Sequence, residues 1–152
     1  MKKLMYLFGA LSLVALLACE KYGEDRPVDF GKLPAPAQTF VKEYYADAKV
    51  LYVTKDDDII MPDYSVRLDN GVSIQFSNDG SLEKIEAPAG VPAGIVPVQL
   101  TDYVKTQYPD TIIIEYEVGR NTYEIKLSNR LELKFNSNFK LIEIDDGCQI
   151  LV

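Results

Sequence analysis

The chain has 152 residues, with 23 Asp and Glu against 16 Lys and Arg and a formal net charge of −7. That acidity argues against nucleic acid and against an anionic membrane surface as partners, since both repel a negative protein. There is no His, no Trp and only two Cys, which removes Ser-His-Asp and Cys-His catalysis and the usual zinc sites.

The first segment is a leader. Lys2 and Lys3 precede an apolar run from Leu4 to Leu17, about the length of a signal h-region and too short for an ordinary membrane span. It ends in "LLAC", residues 16–19. A small residue just before a cysteine resembles the bacterial lipobox, which implies cleavage before Cys19 and a lipid on its sulfur. Residues 1–18 are therefore expected to be a lipoprotein signal peptide. Loss of Lys2 and Lys3 takes the charge to about −9. Residues 19–32, polar with Gly and Pro, read as a flexible tether. With Cys19 lipidated, only Cys148 remains, so no internal disulfide can form. Cys148 lies in the terminal apolar stretch "GCQILV" and reads as a small buried hydrophobe.

A helix follows. Pro34 and Pro36 suit its first turn, where an absent N–H costs nothing. Ala37, Phe40, Val41, Tyr44, Tyr45 and Ala48 then form one apolar face at helical spacing. Strands are expected at 50–54, 64–68, 72–76 and 81–87. In "YSVRL" Tyr64, Val66 and Leu68 share a face, and in "VSIQF" Val72, Ile74 and Phe76 do. Between them, Asp69-Asn70-Gly71 predicts a tight type I′ hairpin, because Asn and Gly both accept positive φ. Asn78-Asp79-Gly80 turns the chain again, giving an antiparallel meander with one buried and one solvated face. Residues 88–97 are a Pro- and Gly-rich linker.

The plan then repeats. Leu100, Tyr103, Val104 and Tyr108 give a second helical stripe, and strands are expected at 111–118, 122–127, 131–135 and 139–145. "FVKEYY" at 40–45 overlies "YVKTQY" at 103–108, 63 residues on. Fifty-nine residues on, Tyr64, Leu68, Asn70, Phe76, Leu82 and Ile85 meet identical residues at Tyr123, Leu127, Asn129, Phe135, Leu141 and Ile144. The expected organisation is α+β: a tandem duplication of a helix plus a four-stranded antiparallel meander, with repeats at 33–87 and 98–152. Neither copy alone would have much core, so pairing them has a physical reason. The second copy carries Arg130 and Phe139 where the first has Gly71 and Gly80. A different turn type is expected there, because bulky residues resist positive φ.

A tandem helix-plus-four-strand unit behind a lipobox, with "YSVRLDNGVSIQFSNDG" and its copy "YEIKLSNRLELKFNSNF", resembles the PepSY-like, or beta-lactamase-inhibitor-like, family over residues 33–145. The resemblance implies one curved sheet with both helices on one face. It also implies a secreted or periplasmic binding or inhibitory role without catalysis, in which the exposed sheet face holds a protein partner.

Two constellations are candidate sites. In "TKDDDIIMPD", Asp56, Asp57 and Asp58 crowd three charges into one loop, with Asp63 after a proline. Ca²⁺ takes such oxygens, although the spacing is not that of an EF-hand; a solvated acidic tip is the competing reading. The outward sheet face gathers Arg67, Gln75, Glu124, Lys126, Glu132 and Lys134, with Ser65 and Ser73. Tyr52 or Tyr116 is a candidate aromatic anchor there, but "VLYVT" and "TIIIEYEV" are apolar on both faces and leave their orientation open. The expectation is a non-catalytic lipoprotein of the cell envelope. It engages a protein or peptide through this face, meets the membrane only through its lipid, and needs no cofactor. The alternative is a calcium-binding or calcium-regulated periplasmic protein using Asp56 to Asp58.

Overall fold

A computed structural model describes residues 26–56 and 63–146. The expected signal peptide, Cys19, Asp57, Asp58 and Cys148 lie outside the described residues. Among the described residues the fold is α+β: two helices and one open nine-stranded antiparallel sheet. In chain order come β1 (Arg26–Val28), a 3₁₀ turn (Phe30–Lys32), α1 (Ala35–Tyr44), β2 (Val50–Lys55), β3 (Tyr64–Leu68), β4 (Ser73–Phe76) and β5 (Leu82–Glu86). Then follow α2 (Val98–Gln107), β6 (Ile113–Val118), β7 (Thr122–Leu127), β8 (Glu132–Asn136) and β9 (Leu141–Asp145). The spatial order of the strands is their order in the chain.

β1 lies inside the segment expected to be a tether. Val28 pairs with Val53 of β2 and packs on the core, and Leu33 is buried just beyond. These apolar side chains outweigh the polar composition around them. Pro27 is tolerated because β1 is an edge strand whose outer N–H positions need no partner.

Alternation decides the faces. Val66 pairs with Ile74, Ile74 with Ile85, Ile85 with Tyr116, Tyr116 with Ile125 and Ile125 with Leu133. All six are buried, so one apolar row crosses from β3 to β8. Both helices lie on this face. Phe40 of α1 meets Phe76 edge-on at 5.5 Å, and Tyr103 of α2 meets Phe135 likewise at 5.2 Å. Each helix begins at a proline with no side-chain cap, Pro34 for α1, as expected, and Pro97 for α2.

The turns correct two expectations. Asn70 does not take positive φ; only Gly71 does, at 86°. Gly71 N–H donates to the Leu68 carbonyl and Leu68 N–H to the Val72 carbonyl, so the loop has three residues and is not a two-residue type I′ turn. The extra residue docks the turn: Asp69 accepts from Lys49 N–H through its carboxylate and donates its own N–H to the Lys49 carbonyl, both at 3.0 Å. The second-half turns do not change type. Arg130 and Phe139 adopt φ of 75° and 58° and repeat the same hydrogen bonds. Surrounding strand pairing overrides local preference there. Phe139 is further held by stacking on Tyr123, at 5.2 Å and 18°. The β4–β5 turn is locked by Asp79, which accepts from the Ser77 hydroxyl and Ser81 N–H. These bonds hold its carboxyl at about 2.

Arg130 is exposed and gains nothing visible for its left-handed backbone. That conformation costs an L-residue about 1–2 kcal/mol, while a glycine loses about 0.5–1 kcal/mol through the unfolded chain. Arg130→Gly is therefore expected to stabilise the fold by roughly 0.5–1 kcal/mol, read as a higher Tm. An unchanged or lower Tm would refute the strain.

Candidate binding face

Among the described residues the second sheet face carries no helix. Its cross-strand rows run Tyr52–Arg67–Ser73–Glu86–Glu115–Lys126–Glu132–Asp145 and Thr54–Ser65–Gln75–Lys84–Glu117–Glu124–Lys134–Glu143. The structure thus brings Arg67, Gln75, Glu124, Lys126, Glu132 and Lys134 onto one face, with Ser65 and Ser73. It also orients the two tyrosines. A bulge between Val50 and Tyr52 shifts the register and turns Tyr52 outward opposite Arg67, 54 % exposed. Tyr116 pairs with Ile85 under the helices and is 3 % exposed, so it is no surface anchor. Burial, then the nearby Tyr123, push its phenol up to about 12. The corresponding bulge between Ile113 and Glu115 puts Glu115 where the first half has Tyr52.

The two halves of this face differ in chemistry. From β5 onward every lysine in these two rows is spent. Lys84 Nζ lies 2.7 Å from Glu115, 3.3 Å from Glu86 and 3.7 Å from Glu117. Partial burial alone would lower its pKa, but the hydrogen bond and charge of Glu115, then those of Glu86, outweigh it and hold it above the usual lysine range. Lys126 bonds Glu132 at 2.5 Å and Lys134 bonds Glu124 at 2.6 Å, and these bonds raise both lysines. A shallow hollow of about 120 Å³ opens among these pairs and Glu143 and Asp145. On the first half, Arg67 is half-buried and has no ion-pair partner among the described residues. It sits between exposed Tyr52 and Ser73.

Of the acidic loop, Asp56 and Asp63 are described. Asp56 N–H donates to the Asp63 carbonyl at 3.0 Å, closing the loop's base. Among the described residues no group of three His, Cys, Asp or Glu is placed to hold a metal, and no helix is long and apolar enough to cross a membrane.

Among the described residues a single antiparallel sheet is covered by helices on one side and bare on the other. The chain belongs to the family described as "Putative beta-lactamase-inhibitor-like, PepSY-like", whose profile matches residues 20–84 and 62–143. Three solved structures are similar, each with a TM-score of 0.77. A "putative calcium-regulated periplasmic protein" from Bacteroides thetaiotaomicron is 37 % identical over 80 % of this chain and 96 % of that one. A "putative periplasmic protein" from Bacteroides vulgatus is 35 % identical over 80 % and 97 %. Another B. vulgatus "putative periplasmic protein of unknown function" is 26 % identical over 81 % and 100 %. All three are described as periplasmic, which supports an envelope location. No curated protein matches the chain.

Lys84 is the cation on which three carboxylates converge. Lys84→Met is expected to cost about 1 kcal/mol at pH 7. Its partners hold the Lys84 ammonium charged, so its contribution is fully present below the unfolded lysine pKa of about 10.4 and is lost only as pH rises through the higher folded value. A Tm equal to that of the unaltered protein at pH 7 would contradict this.

Proposed function

We propose that the protein is a non-catalytic, inhibitor-like module of the cell envelope. It is tethered through lipid on Cys19 and holds a protein or peptide on its bare sheet face. The observation that carries the reading is the pair Tyr52 and Arg67: an exposed aromatic beside an arginine with no ion-pair partner among the described residues, on a face whose lysines are consumed. Tyr and Arg are the residues that most often dominate binding energy. The scaffold itself is a duplicated helix-plus-four-strand unit. The bulges 63 residues apart and the four turns of one kind support this. On that reading, the exchange of Tyr52 for Glu115 makes the first half the gripping half and leaves the second a self-neutralised charge lattice.

The test is a photo-crosslinker placed at Gln75 on the bare face and, as control, at Thr39 on the exposed side of α1. Adducts are expected from Gln75 only. Tyr52→Ala or Arg67→Ala should weaken the captured complex by at least about 2 kcal/mol, some thirtyfold, with Tm unchanged. Adducts from both sites equally, or indifference to both substitutions, would sink the reading.

A second reading rests on one specific observation: the similar B. thetaiotaomicron protein is described as calcium-regulated, and this chain has Asp56 to Asp58 and Asp63 in one loop. If calcium binds only the folded state, millimolar Ca²⁺ raises the Tm by mass action, about 2.7 kcal/mol at a hundredfold over Kd. Mg²⁺ does not, and changing Asp56 to Asp58 to Asn removes the effect. No calcium-specific shift would leave the loop a solvated tip.

A further inference from the structure

On the opposite side from the bare sheet face, an open groove of about 800 Å³ runs between α2, the linker before it and the approach to β6, within the size range of small-molecule sites. Its walls are Gly, Ala, Val, Ile and Pro side chains, with Thr101, Thr111 and Lys105 as the polar residues. Two exposed large apolar residues line it: Val98 at 63 % and Ile112 at 48 %. Val98, Thr101 and Lys105 follow one face of α2, so the strip from Val98 to Lys105 is about 10 Å long.

Part of the hydrogen-bonding capacity along it is spent. Gly90 N–H donates to the Ala87 carbonyl, Val91 N–H to that of Ile113 and Ile95 N–H to that of Pro92. The Thr101 hydroxyl donates to the Val98 carbonyl and the Thr111 hydroxyl to the Tyr108 carbonyl. An aliphatic chain needs no hydrogen-bond partners from these apolar walls. Lys105 is the single charged residue of the lining. It is exposed and has no ion-pair partner among the described residues, in a chain whose net charge is −7. A lone cation at one end of an apolar strip complements an anionic head on an apolar tail.

We infer that this groove binds a free fatty acid, its acyl chain along Val91, Val98 and Ile112 and its carboxylate at Lys105. The test is displacement of 1-anilinonaphthalene-8-sulfonate from the purified protein by decanoate and by 1-decanol, whose chains match the strip, below micelle-forming concentrations. Saturable displacement is expected, with decanoate stronger than the alcohol. Val98→Asp, at an exposed first-turn position where an acid suits the helix, should abolish binding of both with Tm unchanged. Lys105→Gln should weaken decanoate roughly fivefold and leave the alcohol unaffected. Absence of saturable binding, equal affinity for acid and alcohol, or indifference to Val98→Asp would each overturn the inference. So would sedimentation showing a dimer that Val98→Asp dissociates, since a second copy would then be the occupant.

Discussion

A single sheet has two faces, and the described residues have helices enough to bury only one. The rest of the structure depends on Phe76 and Phe135, both fully buried, each met edge-on by an aromatic of its own half's helix. Between them the row from Val66 to Leu133 joins the two halves across β5 and β6 without a break. That junction is where two small units, neither with much interior of its own, come to share one core. The cost of the arrangement is a large uncovered surface, and everything functional argued for the protein follows from what the sequence places on that surface.

The uncovered face solves its problem differently at its two ends. From β5 to β9 carboxylates outnumber lysines, and the lysines are matched to neighbours across strands. Each exposed pair contributes little to stability, but together they leave few cations for a visitor. From β2 to β4 the face is nearly neutral, and Tyr52 and Arg67 stand on it without such matching. Equivalent backbone positions thus carry different chemistry, Glu115 standing where the first half has Tyr52, a division that requires the register to be the same in both halves. The matching bulges before Tyr52 and Glu115 supply that sameness.

Much of the architecture could be read from the residues. Period-two alternation in "YSVRL" and "TYEIKL" assigned faces because polar and apolar residues there are cleanly separated. The six proposed face residues follow directly from it. In "VLYVT" and "TIIIEYEV" both faces are apolar, so alternation is silent, and a bulge then shifts the phase. No pattern in the sequence announces a bulge, and Tyr52 and Tyr116 could be told apart only in three dimensions. The Asn-Gly turn failed for a related reason. The dipeptide fits two loop lengths, and the choice fell to Asp69, whose bonds to Lys49 come from outside the hairpin. β1 was hidden by its polar neighbours, because composition averages away a single Val28 seated on the core.

The strand order has a consequence for how the chain assembles. Every strand pairs with its neighbours in sequence, so no pairing waits for a distant segment to arrive, and such local topologies fold quickly. Two closures are longer, β1 to β2 across α1 and β5 to β6 across α2. A chain emerging from its N-terminus can build the sheet one hairpin at a time and will pause at these two helices. The second pause comes when half a core is exposed. That makes the segment from Ala87 to Ile112, the same stretch that shapes the groove beside α2, the part whose delay would most expose the molecule to aggregation.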